Sequence, residues 1–350
     1  MTAYSLLRPA LFALDAERAH GLTIQALKLL PPGRPVWDPV LGIRVAGIDF
    51  PNPVGLAAGF DKNAEVFGQI LRLGFGFAEV GTLTPLPQAG NPKPRLFRLV
   101  KDRAVINRMG FNNEGLAAAR KRLEGRGPGP STSPRTGIVG VNVGANKDSA
   151  DRIADYAKGV REMAPVADYL TVNISSPNTP GLRALQDKGA LDALLAAVGE
   201  ARGESGPPVF LKLAPDLEPG EIEDIVAVAI DRRMDALIVS NTTISRPCLY
   251  SLAAREQGGL SGAPLKPLAL DALRRFRAAS GGAIPLIAAG GIENGADAYA
   301  RIRAGASLVQ LYSALVYEGP GLARRINREL KALLIRDGFA TLADAVGADL

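Results

Sequence analysis

Eight times between residues 54 and 312 the chain repeats one theme: an apolar, β-rich run, a polar or glycine-rich turn, then a helical pattern. The runs are VGLAA (54–58), FAEVGT (77–82), GIVGVNV (137–143), YLTVN (169–173), PVFLKL (208–213), ALIVS (236–240), PLIAAG (285–290) and SLVQLY (307–312). Between them, stretches such as 188–203 and 219–232 place Ala, Leu and Glu at the spacing of amphipathic helices. Eight strands alternating with helices over roughly 300 residues predict a closed (β/α)8 barrel of the TIM type. The competing open, doubly wound sheet needs a glycine fingerprint after its first strand, and GLAAGFDKN is not G-x-G-x-x-G. The pattern therefore predicts an α/β chain with a helical extension over residues 1–36 and a barrel over 37–350.

The extension is two helical stretches closed by PPGRP. Its apolar residues, among them Leu6, Leu7, Leu11, Phe12, Leu22, Leu27, Leu29 and Leu30, form a face that does not belong to the barrel rhythm. Either it caps the bottom of the barrel or it lies as an interfacial pair on a membrane, helped by Arg8, Arg18 and Lys28. No apolar run approaches the roughly 20 residues needed to span a bilayer, and LLRPALFALDAERAH, broken by Arg8 and Asp15, is no secretory signal. A net charge of +6 suits acidic partners, but the basic residues are dispersed and no nucleic-acid-binding motif appears. The lone Cys248 rules out an intramolecular disulfide and a cysteine-rich metal site, and fits a reducing compartment. GRGPGPSTSPRTG (125–137) reads as a surface loop.

In such barrels the chemistry lies at the C-terminal ends of the strands. Those ends are rich in amides and hydroxyls: Thr82, Asn142, Asn173, Ser175, Ser176, Asn178, Ser240, Asn241, Thr242 and Ser313. Two lysines, Lys62 and Lys212, join them, with hardly any acid and no histidine or cysteine. A rim of this kind suits a flat heterocycle rather than a metal, which wants His and carboxylate ligands. Asparagine at one strand end is commonly a turn or cap; four at comparable ends argue for ligand binding. Lys212, inside VFLKLAP, must face the lumen to be tolerated there. AAGGIENGADA (288–298) sets paired glycines between the seventh strand and a helix, where backbone N–H groups can hold phosphate. GGLSGAPL (258–265) reads as a second glycine loop, a lid or further phosphate contact. Phosphate site, planar-ligand rim and lumenal lysine together suggest FMN.

GLAAGFDKN, INRMGFNNEG, TVNISSPNTPGLR, LKLAPDL, SNTTISRP, GGLSGAPL and AAGGI, in that order, resemble the dihydroorotate dehydrogenases, and AERAHGLTIQALK extends the likeness into the N-terminal extension of the quinone-using, membrane-associated class 2 branch. The resemblance implies oxidation of (S)-dihydroorotate to orotate in pyrimidine synthesis. Hydride would pass to FMN while a base takes the neighbouring proton, and a membrane quinone would receive the electrons. It places Ala58, Gly59, Phe60, Asp61 and Lys62, with Thr82 and Asn142, at FMN. Asn173, Lys212, Ser240, Gly262, Gly291, Tyr312 and Ser313 complete that set. Substrate would be held by Lys62 (the partner of its carboxylate), by Asn107, Arg108, Met109, Gly110 and Phe111, and by Asn173, Asn178, Asn241 and Thr242.

His20 and Arg98 match positions of the quinone tunnel, whose packing Met109 would alter. The soluble class 1 enzymes lack the extension and carry a cysteine base on the loop where this chain has serine, so both departures point to class 2. A peripheral site on the cytoplasmic side of a bacterial inner membrane follows. Of the two loop serines the family pattern picks Ser176 as the base. With His20 the only histidine in the chain, and far upstream, no protease-like triad can activate it. A water relay ending at Thr242 would have to carry the proton. Three alternatives remain open at this level: a Schiff-base aldolase using Lys212, a non-catalytic flavoprotein, and an enzyme reoxidised by fumarate or NAD.

Overall fold

The computed structural model describes residues 3–126, 137–179 and 181–350. Most of the loop expected over 125–137 and Pro180 of the serine loop lie outside them. The strands are β1 Ile43–Val45, β2 Ile48–Phe50, β3 Val54–Leu56, β4 Phe77–Leu83, β5 Leu96–Leu99, β6 Ala104–Asn107 and β7 Ile138–Val143. They continue with β8 Tyr169–Asn173, β9 Val209–Leu213, β10 Ala236–Val239, β11 Gly259–Gly262, β12 Leu286–Ala289 and β13 Ala306–Leu311. The helices are α1 Ala3–Ala13, α2 Ala16–Lys28, α3 Phe67–Arg72, α4 Gly115–Glu124, α5 Arg152–Met163 and α6 Lys188–Arg202. After them come α7 Pro219–Asp231, α8 Lys266–Ser280, α9 Gly295–Arg303, α10 Ser313–Glu318, α11 Leu322–Arg336 and α12 Leu342–Ala345.

The eight strands of the rhythm close into a barrel in the order β3-β4-β7-β8-β9-β10-β12-β13, every pairing parallel. Their runs are apolar on both faces because lumen and helix layer both exclude water. Ring volume fills the lower lumen. Tyr169 stacks on Phe210 with centroids 4.5 Å apart, and Phe77 meets Phe50 at 5.1 Å. Two strand glycines make room for these rings. A Cβ on Gly55 would lie 2.2 Å from the Phe77 ring, and one on Gly140 would lie 2.0 Å from Tyr169. Below its upper end the barrel is a packed core.

Three features depart from expectation. The helical extension does not cap the barrel bottom; the hairpin β1–β2 does, sending buried Phe50 under the start of β4. Helices α1 and α2 roof the opposite, C-terminal face. Their anchorage is polar as well as apolar: Tyr4 Oη donates to Val316 O at 2.5 Å and Arg8 Nη1 to Tyr317 O at 3.1 Å, both on α10. Arg98 of β5 donates to Leu11 O (3.0 Å) and to Leu14 O, and lies 4.9 Å from the Phe12 centroid. It thereby satisfies a carbonyl that the last turn of α1 leaves without a helical partner. Glu17 of α2 forms a two-point pair with Arg95 at 2.7 and 3.1 Å.

Next, GGLSGAPL is a strand rather than a free glycine lid. β11 pairs antiparallel with β6, and β6 with β5, in a small sheet beside the barrel mouth. Lastly, the three basic residues expected to face a membrane do not act alike. Arg8 is turned to α10, Lys28 is exposed but pairs with Glu65 at 2.5 Å, and Arg18 is exposed.

Candidate active site

The upper ends of the strands, the small sheet and the helical roof enclose one cavity of about 830 Å³, toward the large end of the range for ligand sites. It reaches from Lys212 and Asn173 in the barrel to Leu7, Leu11 and Thr23 under the roof. Most of the residues singled out from sequence line it: Ala58, Gly59, Phe60, Lys62, Thr82, Asn173, Ser176 and Lys212, then Ser240, Asn241, Thr242, Gly262, Gly291, Tyr312 and Ser313. Asn107, Met109, Gly110, Phe111 and Asn178 line it from the β6 and β8 sides, and His20 and Arg98 from the roof.

Three of the expected residues are not on its wall. The carboxylate of Asp61 turns back to accept Glu65 N (2.7 Å) and Val66 N (2.8 Å), tying down the loop that presents Lys62. Asn142 lies behind Thr82, accepting its hydroxyl at 2.6 Å. Arg108 points outward to Glu256 at 2.8 Å. Through these partners their side chains brace the wall.

A connected amide and hydroxyl network fixes the wall. Asn142 Nδ2 donates to Glu79 at 2.7 Å, and Gln310 Nε2 and Tyr169 Oη donate to the same carboxylate at 2.7 and 3.2 Å. Asn173 Nδ2 donates to Thr82 Oγ1 (3.1 Å) and Asn142 Oδ1 (3.2 Å). Ser175 Oγ donates to Asn173 Oδ1 at 2.9 Å and accepts from Asn241 Nδ2 at 2.9 Å. Five barrel strands (β4, β7, β8, β10 and β13) are thus locked together in a region of low dielectric, where such bonds hold geometry firmly. Glu79 was missed by sequence reasoning. The argument that sends Lys212 into the lumen applies equally to a carboxylate inside FAEVGT. Glu293 was missed as well: it lines the cavity mouth and pairs with Arg103 at 2.8 Å.

The two serines separate cleanly. Ser175 is fully buried with its hydroxyl committed to Asn173 and Asn241, whereas Ser176 lines the cavity and, among the described residues, accepts only Asn178 N, at 3.2 Å. Its proton is free to point at a ligand. Asn178 Nδ2 donates to Asn107 Oδ1 at 3.2 Å, joining the β8 loop to the end of β6.

The ionisable groups are tuned by burial. Lys62 Nζ donates to Gly59 O at 2.7 Å, and desolvation brings its pKa down to about 8, Glu17 partly opposing this. Lys212 is buried, shifted down for the same reason, and makes no hydrogen bond with any described residue. A buried ammonium facing a cavity with its donors unused calls for an acceptor on a ligand. His20 stands edge-on to Phe60 with centroids 5.2 Å apart and 3.4 Å from Tyr312 Oη. Desolvation holds it neutral, with a pKa of about 3.

Glycine supplies the remaining wall. Gly291, at φ +71°, has Lys266 Cα where a Cβ would come within 2.4 Å, and Gly262, at φ +99°, has Arg103 O at 2.4 Å. Beneath them buried Arg301 donates to Lys266 O (2.8 Å) and Gly290 O (3.2 Å), joining the two loops. The backbone here approaches the cavity with no side chain in the way, as a phosphate cradle requires.

Fold and site together define a (β/α)8 barrel with a buried, anion-seeking site under a helical roof. Comparison with known proteins narrows the class. The family model for dihydroorotate dehydrogenase matches residues 40–334. Curated proteins named dihydroorotate dehydrogenase (quinone) are similar end to end. That of Novosphingobium aromaticivorans is 65% identical, with 100% of both chains covered. That of Erythrobacter litoralis is 63% identical, with 99% of each covered. The crystal structure of DHODH from Eimeria tenella in complex with ferulenol superposes with a TM-score of 0.90 at 44% identity, covering 96% of both chains. The chain belongs to the dihydroorotate dehydrogenase family.

Proposed function

We propose that the protein oxidises (S)-dihydroorotate to orotate with bound FMN, and that a membrane quinone, entering beneath the α1–α2 roof, removes the electrons. The observation that carries this reading is a single cavity in which Ser176, Lys62 and Lys212 share walls with His20 and Arg98 of the roof side. Gly262, Gly291 and Ser313 would hold the cofactor's phosphate, with Lys212, Asn173 and Thr82 at its ring; the unused donors of Lys212 and the side-chain-free glycine wall fit such a group. When bound, FMN supplies the hydride acceptor and then the electrons for quinone.

The chain's own residues do the rest. Lys62, protonated below about pH 8, would meet the substrate carboxylate. Asn107, Asn178 and Asn241 would present amides to its ring. Ser176 Oγ would take the proton from C5, passing its own through water toward Thr242. Enclosure under the roof excludes bulk water from this transfer. His20 would stay neutral and, with Tyr312 and Arg98, line the quinone's path.

The division into a 1–36 extension and a 37–350 barrel belongs to this reading. So does a peripheral seat on the cytoplasmic side of the bacterial inner membrane: Leu6, Leu7, Leu22 and Leu29 of the hairpin are 72, 61, 50 and 86% exposed. No described helix is long and apolar enough to cross a membrane.

Single-turnover reduction of the flavin by dihydroorotate in Ser176→Ala tests the site. The rate should fall by about 10²- to 10⁴-fold, the scale of a lost general base, while reoxidation by a soluble quinone analogue is kept. An undiminished rate removes Ser176 from the mechanism.

A further inference from the structure

The motif that carries Ser176 runs on to Arg183, which does not line the cavity and has no part in the chemistry above. Its guanidinium nevertheless touches three strand-end loops at once. Nε donates to Ser175 O at 3.1 Å, Nη2 to Thr242 O at 3.2 Å, and Nη1 to Asp216 Oδ2 at 3.0 Å. Ser175 O belongs to the peptide that leads into Ser176, and Thr242 O to the residue at the far end of the proposed relay.

Asp216, from the loop after β9, is itself heavily committed. It accepts Ile244 N at 3.2 Å, Ser245 Oγ at 3.3 Å and the hydroxyl of Thr243. Three residues beyond Arg183, buried Gln186 accepts Ala214 N at 3.1 Å, so the β8 loop is tied a second time to the end of β9. Across the cavity, Thr242 and Pro177 converge on Gly259. A Cβ there would lie 2.0 Å from Thr242 Oγ1 and 3.2 Å from Pro177 Cγ.

We propose that Arg183, held by Asp216, is a positioning residue that fixes the spacing between the Ser176 hydroxyl and Thr242. The physical reason is geometric. Ser176 and Thr242 stand on loops from β8 and β10, which are not neighbours in the barrel; β9 lies between them. No backbone pairing can set their separation. A planar fork with fixed donor directions can, because each donor reaches a different loop. Lysine, a single point donor on a flexible stem, cannot hold three acceptors in one plane. The proposal rests on Ser176 being the base.

A double-mutant cycle on the flavin-loaded enzyme tests it. Arg183→Gln should slow substrate-driven flavin reduction by about 10- to 100-fold, the scale on which misplacing a catalytic group by about 1 Å acts. The dissociation constant for orotate and the reoxidation rate with a quinone analogue should each change by less than about threefold. On a Ser176→Ala background the same substitution should cost under about twofold, because its effect runs through that hydroxyl. Arg183→Lys should recover only a minor part of the rate. Asp216→Asn, which keeps the side chain's size, repeats the cycle if Arg183→Gln does not fold, and should be slow alone and silent with Ser176→Ala. Losses that multiply in the double variants, or a wild-type reduction rate in Arg183→Gln, would overturn the positioning role. Wild-type reduction in Ser176→Ala alone would instead overturn the base assignment, and this inference with it.

Discussion

His20 gives the roof a pH dependence that can be worked out in advance. Burial among Phe60 and Tyr312 holds its pKa at about 3, against about 6.5 in an unfolded chain. As pH falls below 6.5 the unfolded chain binds a proton that the folded one refuses until about pH 3. The unfolded state then holds more protons, so stability falls with pH across that window. The penalty is absent above 6.5 and constant below 3. At pH 4.5, two units below the unfolded value, it amounts to about 3 kcal/mol at ~1.36 kcal/mol per unit. That is a large share of the roughly 5–15 kcal/mol by which domains are stable.

His20→Gln removes the titration while keeping an amide within reach of Tyr312 Oη. Urea unfolding of wild type and variant at pH 7.5 and 4.5 should therefore show a stability difference that shifts by 2–3 kcal/mol in favour of the variant at the lower pH. The Glu17 carboxylate is common to both proteins and cancels to first order. An identical pH dependence in the two proteins would refute the reasoning, because it would mean that His20 takes up its proton freely in the folded state.

Three further outcomes follow from the site. With Lys62 at about pH 8 in the free protein, kcat/KM for dihydroorotate should fall as pH rises through 8, as the ammonium that meets the carboxylate is lost; a profile flat to pH 9.5 contradicts that role. Gly291→Ala, whose Cβ would lie 2.4 Å from Lys266 Cα at φ +71°, should weaken FMN binding by at least about tenfold, read as flavin retained after dialysis; full retention contradicts the cradle. Arg98→Gln deletes the guanidinium that satisfies Leu11 O and Leu14 O and stacks over Phe12. It should loosen α1 by about 1–3 kcal/mol, seen as faster proteolysis within residues 3–13 with the barrel's melting midpoint unchanged.

What was legible in the sequence was what local pattern encodes. All eight barrel strands show as apolar runs because both faces of each are buried, and Lys212 shows because a charge inside such a run has only the lumen to face. Long-range pairing does not leave that kind of trace. β11 is separated by about 150 residues from the β6 strand it pairs with and is short and glycine-rich, so its local signal is that of a loop. The roof's position is equally silent: α1 and α2 carry an apolar stripe, but it is long-range partners such as those of Tyr4, Arg8, Arg95 and Arg98 that fix it to the upper face rather than the bottom. At the site, the motifs name Asp61, Asn142 and Arg108 together with residues that line the cavity, because a motif records neighbourhood and not side-chain direction. Glu79 went unnoticed for the opposite reason, since a single carboxylate in a strand carries no motif even where three donors converge on it.

The central claim is that one cavity passes electrons from dihydroorotate to quinone through a bound flavin. Anaerobic mixing of the purified protein with dihydroorotate, followed by a quinone analogue, tests it most directly. The account predicts that the oxidised flavin spectrum bleaches on the first addition and returns on the second. A flavin that stays oxidised in the presence of dihydroorotate would contradict it.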